Sequence, residues 1–373
     1  MDLYRFGVSE PLGMVCGMTH TFVHAHPNAN GFVGAVPLDR EARESALHAI
    51  LAPGATRAIG AGNRATQEAP DPFRLCFERD LDRIKHSAPW RRLAGKCQVF
   101  LAPEDDHLRT RLTHCIEVAQ IATSIARPVG LNLALTEAIA LAHDCGHGPA
   151  GHASEEALSP YLPGGYDHAV YGADVTLEPL NLCVETLDGV RNHSWRRPAP
   201  ITPEGEVVAW ADRIAYVCHD YEDAVRSGVL GELDLPDAVS DVVGRARSRQ
   251  INAFVSAVLD TIAATGSIGM PTAEADALAA FRAFNFERVY LRPASVRQAD
   301  RVIALLRGIV DYFVDMPVKM PHETTGWSAE LESGSQAAAE IAVRYVSGMT
   351  DRYALGLGVE LLGWRPEALP RGV

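Results

Sequence analysis

The chain has 373 residues, 47% of them hydrophobic and 22% charged, with a formal net charge of -13. That length holds one large domain or two smaller ones and buries a sizeable core without disulfides. The acidic balance excludes broad, nonspecific binding to duplex nucleic acid, which needs many Lys and Arg at phosphates, but leaves room for a local basic pocket.

In chain order, the N-terminus lacks a basic region followed by an apolar one, so no signal peptide is expected. Residues 1–70 are the least regular part. They are rich in Gly, Pro, Asn and Ala, carry His20, His24 and His26, and predict one short helix over Asp39–Leu51. The stretch from Ala52 to Asp71 reads as loop. From Asp71 onward helical spacing dominates. Phe73–Ser87 carries Phe73, Phe77, Leu81 and Ile84 at that spacing, and Thr110–Arg127 is apolar on several sides, so it should be central. Leu135–Asp144 is a second apolar helix, broken by Gly146. Pro203–Ser227 is a third, with Thr202 as N-cap, Pro203 at the first position, Glu204 and Glu206 in the first turn and Gly228 as the stop. Pro236–Thr265, Ala273–Tyr290, Ser295–Phe313 and Ala329–Met349 complete the set. Period-two alternation is nearly absent, with at most a short hairpin near Lys96–Leu101 and Asn181–Val184. No apolar run approaches the roughly 20 residues that span a bilayer. The predicted fold class is all-α.

The seven cysteines (Cys16, Cys76, Cys97, Cys115, Cys145, Cys183 and Cys218) are odd in number and form no CxxC pair. They argue against a disulfide framework or a thiolate zinc site, and fit a reducing cytoplasm.

Chemistry concentrates in two stretches: Arg109–His114, and His143-Asp144 followed by His147, His152 and Glu155. Neighbouring residues on a helix point about 100° apart, and burying both His143 and Asp144 unpaired costs several kcal/mol, roughly 2–7 per group. A shared cation removes that penalty. His114, and Asp212 set among the apolar residues of the third helix, supply two further ligands. Two imidazoles and two carboxylates suit Mn²⁺, Fe²⁺, Co²⁺, Mg²⁺ or Zn²⁺ without choosing among them. Such an ion activates water and polarises a phosphoryl centre.

Gly146, Gly148, Pro149 and Gly151 form a tight turn after the metal helix. His152 and Glu155 lie three apart and share a face, so the carboxylate is expected to tune the imidazole for general acid work. His147 and His168 are expected to donate to phosphate oxygens. Arg111, one turn before His114, is expected to reach a metal-bound phosphate, whereas Arg109 reads equally as a phosphate contact and as a surface ion pair.

These stretches extend into a longer pattern: Phe77–Ser87, Trp90–Leu93, Gln98-Val-Phe, Thr110–Ala122, Ala138–His147, Gly151-His152, Gly164–His168, Glu185–Gly189, Pro203–Tyr216, His219-Asp220 and Gly348–Ala354. Together they resemble the deoxyguanosine triphosphate triphosphohydrolase family of the HD superfamily, over roughly residues 55–355. Cys145, Ala150 and Ala169 depart from its common pattern, and the first 45 residues do not resemble it.

The resemblance implies an HD helical bundle (55–355, metal core 105–227) between an N-terminal extension (1–54) and a C-terminal tail (356–373). It implies hydrolysis of a dNTP, dGTP foremost, to deoxynucleoside and triphosphate, with a divalent metal as cofactor. It implies a homo-oligomer, hexamer or tetramer, and a nucleotide or single-stranded DNA as allosteric partner. Gln98, Tyr216 and Asp220 would line the deoxyribose pocket; Asp212, Tyr216 and Asp220 stand at i, i+4 and i+8 and so share a face. Two other readings stay open: an HD phosphohydrolase acting on a nucleoside monophosphate or related nucleotide, and a non-catalytic nucleotide sensor or single-strand binder.

Overall fold

A computed structural model describes residues 24–26, 31, 33–101 and 105–370. Residues 1–38 and 39–373 form separate compact units. The described residues of the first unit are exposed and lie outside helix or strand. His24 and His26 are among them, while His20 and Cys16 lie outside the described residues.

The second unit is all-α. Its helices are α1 (Arg40–His48), α2 (Cys76–His86), α3 (Ala88–Arg92), α4 (Arg111–Ala126), α5 (Leu133–Ala142), α6 (His152–Leu158), α7 (His168–Tyr171) and α8 (Val184–Asn192). There follow α9 (Pro203–Arg226), α10 (Asp237–Val243), α11 (Arg247–Thr265), α12 (Thr272–Asn285), α13 (Pro293–Asp315), α14 (Gln336–Ser347) and α15 (Asp351–Leu362). Residues 39–54 belong to this unit: Arg43 forks onto Glu78 at 2.6 and 2.9 Å, and the Ala52 amide donates to the Gly130 carbonyl at 2.8 Å.

The helices start where local chemistry starts them. Thr110 and Thr113 exchange side-chain-to-backbone bonds at the head of α4, Asn132 caps α5, and Thr202 accepts from the Gly205 amide at the head of α9. α4 packs chiefly on α5 and α9, and its apolar residues on several sides (Val118, Ile121, Ile125) are all buried. Full burial of each such side chain contributes about 1.5–3 kcal/mol. A second core joins α6 to α13, α14 and α15.

Four expectations need correction. No hairpin forms among the described residues: Cys97 and Thr110 make one isolated bridge, and Arg64 and Cys183 another. Phe73 is exposed, because Asp71 accepts from the Phe73 and Arg74 amides and holds a turn where helix was expected. The segment 236–265 is two helices, parted at Gly244, whose φ of 80° suits glycine. The last long helix begins only at Gln336, where Ser335 caps it, rather than at Ala329. Among the described residues no helix is long and apolar enough to cross a membrane.

One polar knot positions α9. The Glu204 carboxylate is fully buried and accepts from Thr56 through both its amide (3.0 Å) and hydroxyl (2.6 Å), and from the Asn132 amide (2.9 Å). The irregular stretch after α1, the head of α5 and the head of α9 therefore share one buried acceptor.

Candidate metal centre and its surroundings

α4, α5 and α9 each deliver part of one cluster. His114 comes from the first turn of α4, and Asp212 from the middle of α9. α5 ends two residues earlier than its apolar pattern predicts, so His143 is its C-cap and Asp144 stands in the following turn. That ending frees both side chains to face inward. His114 Nε2 lies 3.1 Å from Asp212 Oδ1, His143 Nε2 3.7 Å from the same oxygen, and His143 Nε2 3.5 Å from Asp144 Oδ1. Two ligands about 2.1 Å from one ion and at right angles stand about 3 Å apart, close to these separations.

The donors fit a cation on an independent observation. His143 Nδ1 is 2.7 Å from the Ala140 carbonyl, a geometry that places the proton there and leaves Nε2 as a lone pair. That Nε2 is buried, has no hydrogen-bond partner, and faces two carboxylates. A lone pair set against carboxylates is satisfied by a metal ion, and the carbonyl bond to the far nitrogen is the usual outer support of such a ligand. His114, His143 and Asp212 together can hold one ion; Asp144, His147 and His168 form an adjoining group.

Asp144 joins the two. Its Oδ2 accepts from Arg111 at 2.7 Å, and Oδ1 is left to the histidines, 3.3 Å from His147 Nε2. Burial favours its neutral form, but the Arg111 charge overrides this and holds the carboxyl well below the usual carboxylate range. Burial likewise opposes the charged form of His114, and the Asp212 hydrogen bond outweighs it, raising the imidazole.

Arg111 differs from expectation. Its guanidinium is buried on Asp144, and a Cβ on Gly151 would come within 2.4 Å of its NH2 nitrogen. One of its N–H groups is spent on Asp144, while its Nε is buried without a partner. Arg109 resolves to the ion-pair reading, held by Glu117, Glu222 and Asp223.

The histidine cluster also differs from expectation. Glu155 accepts from His168 Nδ1 at 2.6 Å and from the His168 amide at 3.0 Å; its hydrogen bonds go to His168 and not to His152. The chain folds back through Gly165, at φ 74°, and Asp167 caps α7, which brings His168 to α6. His147 stacks on His168 with ring centroids 3.7 Å apart, and the exposed His152 meets both edge-on. Although part of His152 reaches solvent, its ring is packed against His147 and His168, and that desolvation, then the Arg111 and His168 charges, push it down to about 4. Gly146 is required here by close approach: a Cβ would fall 2.0 Å from the His168 carbonyl oxygen.

On α9, Tyr216 accepts from Arg282 Nε at 2.9 Å, and Asp220 accepts from the Tyr290 hydroxyl. Burial pushes Asp220 up to about 7. Asp220 Oδ1 and Gln98 Oε1 are both buried acceptors without a partner.

Sequence reasoning missed His193, Tyr290, Arg282, Lys96 and Asp351. His193 Nε2 is 3.2 Å from His168 Nε2, with its Nδ1 on the Val190 carbonyl. Tyr290 and Arg282 come from α12 and the π-helical turn after it, and only tertiary packing brings them to α9. Asp351 accepts from the Cys97 amide (2.8 Å) and the Ala150 amide (2.7 Å).

Lys96 is buried, and its ammonium donates to the His147 carbonyl and, at 2.9 Å, to the Ser347 carbonyl. Burial pushes it down to about 7, from 10.5. Between those values the unfolded chain binds more protons than the folded one, so this residue makes stability rise with pH. Thermal denaturation from pH 7 to pH 9 should show a steeper rise for the wild type than for Lys96→Met. Equal slopes would remove the buried ammonium as the cause.

Residues 111–217 match the HD domain, and residues 268–358 match the phosphohydrolase-associated domain. A deoxyguanosinetriphosphate triphosphohydrolase-like protein of Caldanaerobacter subterraneus is 41% identical over 322 residues, covering 85% of this chain and 93% of the relative. Proteins of the same name from Clostridium tetani and Clostridium perfringens are 38% and 37% identical, covering 82% and 78% of this chain and 90% and 87% of theirs. A solved hypothetical protein from Aquifex aeolicus aligns with a TM-score of 0.47 at 16% identity, over 78% of this chain and 69% of that one. The chain belongs to the deoxyguanosinetriphosphate triphosphohydrolase-like family of HD-domain phosphohydrolases.

Proposed function

We propose that this protein is a divalent-metal-dependent triphosphohydrolase that converts a deoxynucleoside triphosphate, dGTP foremost, to deoxynucleoside and triphosphate. The observation that carries the reading is the pairing of two half-sites along α9. At Asp212 stand the donors for a metal; one and two turns on, at Tyr216 and Asp220, stand groups suited to a sugar. The relatives' names supply the substrate class.

His114, His143, Asp144 and Asp212 would hold the ion. Bound there, a divalent ion supplies an activated water and Lewis-acid polarisation of a phosphoryl oxygen. The chain's own residues do the rest. Arg111 keeps Asp144 ionised and oriented. Glu155 fixes His168 through Nδ1, and its Nε2, together with His147, offers donors to phosphate oxygens. His152, neutral in the free protein, gains a proton as the substrate's negative charge offsets Arg111 and His168, and delivers it to the leaving oxygen. The unpartnered Asp220 Oδ1 accepts from the sugar 3′-hydroxyl, and Gln98 Oε1 takes a second donor. The Tyr216 ring, held by Arg282, closes the face of the sugar where a 2′-hydroxyl would sit.

The test is incubation of purified protein with dGTP and Mn²⁺, followed by chromatography for deoxyguanosine and triphosphate. No loss of any dNTP, alone or mixed, with Mn²⁺, Mg²⁺, Co²⁺ or Fe²⁺ would overturn the reading. Orthophosphate released from a nucleoside monophosphate would replace it. Tyr216→Ala should relax sugar selection: the ratio of kcat/KM for dGTP over GTP should fall by about tenfold or more, the loss of roughly 1.4 kcal/mol of discrimination. Assembly into a homo-oligomer, a nucleotide or single-stranded DNA effector, and a cytoplasmic location belong to the same proposal. Sedimentation velocity checks the first of these.

A further inference from the structure

A cavity of about 730 Å³ lies beside the metal centre without sharing any of the groups assigned to it. Cys145, the residue after Asp144, forms part of its wall. The other walls come from residues 87–96 around α3, from residues 171–180 after α7, and from residues 321–325 and 344–353 on either side of α14. It thus sits where the HD segment, the stretch before it and the phosphohydrolase-associated segment meet. Junctions of this kind, at this size, are where small-molecule sites occur.

Its charge is the informative part. The charged side chains lining it are Arg92, Lys96, Arg344 and Glu323, three basic and one acidic, in a chain of net charge -13. Arg92 Nε is buried without a hydrogen-bond partner. The Arg92 guanidinium extends toward Gly348, where a Cβ would lie 3.4 Å from its NH2 nitrogen. In its ammonium form Lys96 spends two donors on the His147 and Ser347 carbonyls and keeps a third N–H for an anion, whose charge favours that form. Exposed Arg344 and the aromatic ring of Tyr171 line the same cavity. Collecting cations with one carboxylate among them costs repulsion, which a polyanion relieves. Arg forks match phosphate oxygens, and the volume far exceeds one orthophosphate.

We propose that this cavity is a second ligand site, for a phosphate-bearing small molecule of polyphosphate or nucleotide size, gripped by Arg92, Arg344 and Lys96. The proposal does not rest on which nucleotide the metal centre hydrolyses. Its consequence for that centre runs through Lys96: the ammonium that would meet the anion also holds the carbonyl of His147, three residues after Asp144.

The test uses the full chain with inorganic triphosphate, ATP and adenosine as probes, reading hydrogen–deuterium exchange and calorimetric affinity. Triphosphate or ATP should protect residues 87–96 and 344–353, and adenosine should not. Arg92→Gln with Arg344→Gln should weaken this binding at least tenfold while the melting temperature holds. The single Arg344→Lys, which keeps the charge, should lose less. ATP binding tenfold tighter than triphosphate assigns a nucleotide; equal binding assigns a free polyphosphate. Protection confined to the metal centre, unchanged affinity in the double variant, or adenosine binding as well as ATP overturns the proposal.

Discussion

Asp144→Ala is expected to eliminate turnover and most metal binding. The carboxylate has two jobs in the structure, one oxygen toward the histidines and the other on Arg111. Loss of an outer-sphere partner alone commonly costs about 10–100-fold in metal affinity or activity. Loss of a ligand should exceed that, so kcat should fall by more than about 100-fold, and metal content by mass spectrometry should drop with it. There is a second expense. Arg111 is buried, and stripping its counter-charge costs about 3–5 kcal/mol. The variant should therefore melt lower than the wild type even when both are metal-free. Asp144→Asn separates the two effects. It keeps the shape and an acceptor for Arg111, so it should retain more of the stability than Ala while still losing turnover. An Ala variant that binds metal normally and turns over would refute the ligand assignment.

The largest effect on folding is expected at Asp80, far from any chemistry. Arg64 and Asp80 are both buried, paired at 2.6 Å. Asp80 Oδ2 also accepts from the Cys183 amide at 2.9 Å and the Thr186 hydroxyl at 2.7 Å, while Arg64 donates to the Cys76, Asn181 and Ala61 carbonyls. One buried pair thus fastens the loop at Arg64, α2 and the head of α8. Asp80→Ala leaves a buried guanidinium and orphans an amide and a hydroxyl. The expected loss is about 3–5 kcal/mol, read as a lower urea midpoint with little change in slope. Arg64→Met combined with Asp80→Leu should recover part of it, because removing both charges leaves neither unpaired. By contrast, breaking the exposed pair Lys85–Glu137 (2.8 Å) should cost under about 1 kcal/mol. Equal losses at the two sites would mean that burial is not what matters.

The residues that gather at the candidate metal centre were readable in the sequence because their signal is local. A His-Asp pair at the end of an apolar helix, and a lone acid among Val and Ala, are anomalies that one helix displays by itself. The class of fold was readable for the same reason, since helical periodicity recurs from α2 to α14, although α15 runs through the boundary at 355 beyond which only a tail was expected. What escaped depends on the chain returning to itself. Glu155 sits at the right spacing to serve His152, yet the fold-back through Gly165 hands it to His168. Tyr290 lies in a π-helical turn 70 residues after Asp220, its acceptor. His193 follows no motif, and only the packing of α8 against α7 and α9 brings it beside His168. Arg111 shows a subtler gap: its place beside His114 was legible, but its pairing with Asp144 depends on how α4 and the turn after α5 pack together.

Asp351 bears on how such a chain can be divided. It opens α15, near the far end of the sequence, yet its two oxygens hold the amides of Cys97 and Ala150, one beside Gln98 and the other beside the Gly151 turn. The chemistry is therefore not portable. A fragment cut to the stretch that bears the donors would keep every one of them and lose the clasp that sets the loops around them. In this protein the catalytic module and its C-terminal companion are one inherited unit, and a recombination that exchanged either half alone would have to re-create that clasp.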